Sequence, residues 1–101
     1  MLDLILSRHA GEKIRLRGLS MELIKQVLNS PEQIYFDVVT RLYVAMGHVA
    51  FHGEKIPMVV IYRAERGSHY IATVYPCKEF KEEAERKVKK GRWIKVGRRE
   101  A

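Results

Sequence analysis

A chain of 101 residues, 47% apolar and 31% charged, has the composition of a folded domain, and one domain of this length buries roughly 60–70% of the surface its unfolded chain exposes. The formal net charge of +7 makes a polyanion the first partner to consider. The longest apolar runs are too short to cross a bilayer, and a single cysteine, Cys77, excludes an internal disulfide.

That cysteine usage fits a reducing compartment. The start, MLDLILSRHAGE, lacks the basic opening and unbroken apolar run of a secretory signal, so a soluble, cytoplasmic protein is expected. The excess charge is uneven. From Lys78 onward ten Lys or Arg stand against five Glu, whereas residues 1–77 hold nine against seven acids.

Along the chain, residues 2–6 (LDLIL) read as a short apolar strand. Ser7 is then a helix N-cap, and Gly18 suits the left-handed residue that ends that helix. Ser20 caps a second helix, with Glu22 in its first turn and Leu23, Ile24, Val27 and Leu28 as its apolar face; Pro31 forces it to stop near Asn29. Beyond Pro31 the period changes. QIYFDVV, RLYVAMGHVAF, IPMVVIYRA and HYIATVYP are rich in β-branched and aromatic residues, and the turn-like HGEK and ERGS separate the last three, which predicts an antiparallel meander. A basic helix follows, with Phe80, Ala84 and Val88 on one face and i,i+4 pairs Glu82 to Arg86, Glu83 to Lys87 and Glu85 to Lys89. After Gly91 the tail, with Trp93, Ile94 and Val96, either docks as an edge strand or frays. The expectation is an α+β single small domain, with an N-terminal helical hairpin packed on an antiparallel β-meander and a C-terminal basic helix. Residues 1–90 form the domain and 91–101 a basic tail.

The first helix raises a question of direction. At about 100° per residue, with His9 as zero, Lys13 falls near 40°, Arg17 near 80°, Ala10 near 100° and Ile14 near 140°. Arg8, Glu12 and Arg15 take the other, solvated side. His9, Lys13 and Arg17 therefore lie among the apolar residues that should meet the sheet, where a cation must snorkel, pair with an acid such as Asp37, or line a cleft that receives an anion. A histidine at a helix start is either a hydrogen-bonded structural residue or an acid or base.

If HGEK and ERGS centre hairpins, Arg41, Tyr43, Val49, Phe51, Met58, Val60, Tyr62, Ile71, Thr73 and Tyr75 share one face of the sheet, and Leu42, Val44, Met46, Val59, Ile61, Ala72 and Val74 the other. The second face reads as core. The first, with an arginine and three tyrosines, suits phosphates and stacked bases or an ordinary wet rim. Arg63 and His69 sit near the second turn. His48 and His52 have no carboxylate or cysteine at a metal-ligand spacing, so no metal site and no cofactor are expected.

His9-Ala10, Lys13, Arg17-Gly18-Leu19-Ser20, Ile24, Val27-Leu28 and Pro31 together resemble the opening of domain-of-unknown-function family 4258, which is similar to the BrnT-like toxins of the RelE/ParE superfamily. Arg41, the VVIY run at 59–62 and IATVYP at 71–76 fit its second half. The resemblance spans residues 4–76 and implies helices on an antiparallel sheet, a ribonuclease that degrades messenger RNA, and an antitoxin that neutralises it. Its catalytic implication falls on His9, Lys13, Arg17 and Tyr75. Lys13 stands where arginine is common, which weakens bidentate phosphate contact.

The expected function is thus a toxin-type, metal-independent endoribonuclease (an mRNA interferase) of a type II toxin-antitoxin system, with RNA, including ribosome-bound messenger, and a cognate antitoxin as partners. Arg41, Tyr62, Arg63, Lys78 and Lys81 are the expected RNA-binding residues. Two other classes stay open: a nucleic-acid-binding module without catalysis, and a protein-interaction module that docks a partner on its exposed strand and Trp93 tail.

Overall fold

The computed structural model describes residues 3–97. Strand β1 (Asp3–Leu6) leads into helix α1 (Arg8–Arg17), whose N-cap Ser7 accepts from the Ala10 N–H at 2.9 Å. Gly18, at φ 67°, ends α1, and the Leu19 N–H turns back to the Ile14 carbonyl, so a residue without a Cβ serves the left-handed position. Helix α2 (Met21–Asn29) is capped by Ser20, whose hydroxyl accepts from the Leu23 N–H. The chain then runs through β2 (Gln33–Asp37), β3 (Leu42–Phe51), β4 (Glu54–Glu65), β5 (Ser68–Pro76), α3 (Phe80–Lys89) and β6 (Trp93–Gly97).

These strands form one six-stranded mixed sheet in the order β1-β5-β4-β3-β2-β6. The expected fold, an N-terminal helical hairpin on an antiparallel meander, is corrected by this topology. The first strand precedes both helices and pairs in parallel with β5, Leu4 opposite His69 and Leu6 opposite Ile71. The helices are interspersed: α1 and α2 lie between β1 and β2, and α3 between β5 and β6. The physical reason is that both faces of the sheet are apolar. α1 and α2 cover one face through Ala10, Ile24 and Val27 against Val49, Met58, Val60 and Val74. On the other face Phe80 and Ala84 of α3 pack with Tyr35, Val44, Met46, Val59 and Trp93. Each fully buried aliphatic or aromatic side chain in these layers contributes roughly 1.5–3 kcal/mol.

A β-bulge corrects the expected faces. Ile61 pairs with Thr73 but Tyr62 with Ile71, so Ala72 is an extra residue in β5. Ile71 stays beside Tyr62, whereas Val74 joins the α1 and α2 face and Tyr75 the α3 face.

Asp37 fastens the far edge. It is 6% exposed, and its carboxylate accepts from the Val39 and Thr40 N–H groups, from Arg92 and from the Trp93 indole at 2.9–3.3 Å. Its ion-pair partner is therefore Arg92 of the β6 approach, not Lys13 or Arg17. Burial works to raise the Asp37 carboxyl, but these hydrogen bonds and the Arg92 charge outweigh it and hold it below its ordinary range. On α3, no expected i,i+4 pair closes to ion-pair distance among the described residues; Lys87 lies over the Trp93 ring, 5.7 Å from its centre.

Candidate nucleic-acid interface

β1 stops opposite Ile71, which leaves the outer edge of β5 beyond that point without a strand among the described residues. α1 supplies the missing donors. The Ser7 N–H donates to the Ile71 carbonyl and its hydroxyl to the Ala72 carbonyl, both at 2.9 Å, and Arg17 Nη1 donates to the Val74 carbonyl at 2.7 Å. Buried Ala10 presses α1 onto this edge. Arg17 is thus half-buried and fixed by a backbone acceptor, with no carboxylate paired to it among the described residues.

Along the same side of α1, Lys13 is half-buried and His9 is exposed. Arg8, Glu12 and Arg15 are exposed, on the side expected to be solvated. Among the described residues none of the side chains of Arg8, His9, Lys13 and Arg15 has a hydrogen bond or ion pair. The result is a helix with four Lys or Arg against one Glu, whose cations form no ion pair among the described residues.

Tyr75 does not join them. It lies on the α3 side of the sheet among the residues around Val59 and Phe80. Burial first, and then the neighbouring Glu83 carboxylate, push its phenol well above the ordinary value. A neutral, partly buried phenol across the sheet from α1 shares no reaction centre with His9.

The expected RNA-binding residues also divide. Arg41 is exposed in the β2–β3 turn at φ 63°, its N–H donating to the Asp37 carbonyl at 2.7 Å. Arg63 lies over the Tyr70 ring at 4.8 Å and meets Glu65 at 3.3 Å. Lys78 is exposed and pairs with Glu54 at 3.7 Å, beside the β3–β4 hairpin, and Lys81 is exposed in the first turn of α3. Arg41 and Lys78 are therefore at opposite ends of the sheet, about 30 Å apart along a ten-residue strand.

Tyr62 is buried, with its ring between two others. Its centre is 5.6 Å from that of Tyr43 and 4.6 Å from that of His69, both stacked, and Tyr43 meets Phe36 at 5.1 Å edge-on. These four rings cross four adjacent strands in one row. Phe36 and His69 were not legible as members, because the row depends on registers set by hairpins and on the bulge at Ala72.

A protein-family profile, a curated protein or a solved structure that matches this chain was not found in any of the three comparisons.

One further pair was missed: Glu32 accepts from the His48 N–H and from its ring Nδ1, both at 2.8 Å. Burial would raise the Glu32 carboxyl, but these contacts outweigh it and hold it below its usual range. His48 of this pair lines a cleft of about 340 Å³ together with Gln26, Asn29, Ser30 and Gly47. Among the described residues no group of three His, Cys, Asp or Glu side chains is placed to hold a metal ion, and no helix is long and apolar enough to cross a membrane.

Proposed function

We propose that this protein acts on RNA in the cytoplasm as a toxin-type, metal-independent endoribonuclease, with α1 as its working element and an antitoxin as its partner. The observation that carries this reading is the line of His9, Lys13 and Arg17 on a helix whose cations have no acidic partner among the described residues. Preorganised, unneutralised cations suit a phosphate on which negative charge grows during reaction. His9 takes the proton of a ribose 2′-hydroxyl, and the freed oxygen attacks the adjacent phosphorus. The bond to the 5′-oxygen breaks, leaving a 2′,3′-cyclic phosphate and a 5′-hydroxyl that takes its proton from solvent. Lys13 and the remaining N–H groups of Arg17 hold the phosphate. Tyr75 has no part in this scheme, and Lys78 and Lys81 act as peripheral, salt-sensitive attractors.

The second reading is RNA binding without cleavage. The separation of Tyr75 from α1 favours it, because the phenol expected as a second proton-transfer group then does not stand beside His9. Labelled single-stranded RNA incubated with the protein in EDTA distinguishes the two. Cyclic-phosphate products that disappear with His9→Ala support the nuclease. Intact but bound RNA supports the binding module, and intact, unbound RNA contradicts both.

A further inference from the structure

Among the described residues, the two helices on the His9 side of the sheet leave one end of that face uncovered. α1 engages β5 at Ile71, Ala72 and Val74, and α2 lies beside β3 where a Cβ on Gly47 would meet the Val27 Cα at 3.6 Å. The ring row lies towards the other end, where the β2–β3 and β4–β5 turns are found. Phe36, Tyr43 and His69 are only half-buried there, and Ile94, the strand partner of Phe36, is 55% exposed. Arg41 and Arg66, exposed in the two turns, have no side-chain partner among the described residues.

We infer that this row is a stacking surface for the unpaired bases of a single-stranded RNA, with Phe36 and Tyr43 as the rings that meet bases and Arg41 and Arg66 as phosphate contacts. Stacking on aromatic rings accepts any base but requires that it be out of a duplex. Phe36 is the open end of the row, with one ring neighbour, Tyr43, to which it is inclined by 61°. Tyr62, at 7% exposure, buttresses the row and does not itself take a base. The occupant follows from charge: a face of half-open rings flanked by unpaired arginines, on a chain of net charge +7, is complementary to a strand that carries phosphates on one side and bases on the other. An apolar protein segment would leave both arginines unanswered. The inference rests on the RNA reading above and adds a second contact region to it, distinct from α1.

The test uses a 2′-O-methyl oligouridine, which cannot be cleaved through its 2′-oxygen, so binding is measured apart from chemistry. Fluorescence anisotropy compares the full chain with Phe36→Leu, Tyr43→Leu and Lys13→Ala, and a duplex of the same length is the control. The leucine variants keep apolar bulk, and circular dichroism with the emission of the single tryptophan, Trp93, checks that they fold. The single strand binds more tightly than the duplex, and each leucine variant weakens it roughly five- to fiftyfold. Equal affinity for the duplex, or leucine variants that bind as the unaltered chain does while Lys13→Ala weakens, overturns the stacking surface and leaves the α1 reading standing. Absence of binding to any oligonucleotide overturns both.

Discussion

Arg17 closes a strand edge as well as carrying charge, so its removal affects more than phosphate contact. The Val74 carbonyl that accepts from it at 2.7 Å loses its donor in Arg17→Ala, which costs about 1–3 kcal/mol of stability in urea unfolding. His9→Ala and Lys13→Ala stay within about 0.5 kcal/mol of the unaltered chain, because among the described residues neither side chain has a hydrogen-bond or ion-pair partner to lose. An activity loss in either of those two is therefore a functional effect. Asp37 gives the residue-scale pH dependence. Its carboxyl is held below its ordinary value of 3.8 in the folded state, so the stability it contributes is fully present above about pH 4 and is lost as pH falls through the folded-state value. Asp37→Asn flattens the dependence of unfolding free energy on pH below about 4 and lowers stability at pH 7; an unaltered acid limb in that variant contradicts the assignment.

Among the elements, α3 and β6 stand or fall together. Phe80 is buried against Tyr35 and Trp93, with ring centres 6.1 and 5.9 Å away. Phe80→Ala costs about 3–5 kcal/mol, read by denaturant titration of Trp93 emission. Much of the local structure was legible because its causes are local: Ser7, Gly18, Ser20 and Pro31 act on backbone groups within a few residues of themselves. Arg17 and Lys13 on the half-buried side of α1 follow equally from the helical period. What was not legible is set by distant partners. LDLIL predicts a strand but not the parallel neighbour that β5 becomes. Alternation along β5 predicts one face for Ile71, Thr73 and Tyr75, and nothing about Ala72 announces the bulge that moves the last two across the sheet. The charge spacing on α3 suggests ion pairs, yet Lys87 lies over Trp93 and Glu83 accepts from Cys77 at 3.8 Å. The α1 cations were thus legible as a group, and their separation from Tyr75 was not.

At the scale of the whole molecule, the net charge of +7 acts over distances of a Debye length, roughly 8–10 Å near physiological salt. On the proposed RNA reading, binding to single-stranded RNA weakens linearly in log affinity against log salt, and each cation that touches a phosphate contributes about 0.7 to the slope. Lys13→Ala lowers the slope by about that amount, whereas Lys25→Ala, whose amine faces Glu22 at 4.0 Å, leaves it unchanged. The central claim is that α1 carries RNA chemistry, and RNA integrity in a cell-free translation reaction tests it most directly. Purified protein and His9→Ala are compared there, with EDTA controls that omit ribosomes. The account predicts discrete fragments from the unaltered protein and none from His9→Ala; RNA left intact in every arm, or cut equally by both proteins, contradicts it.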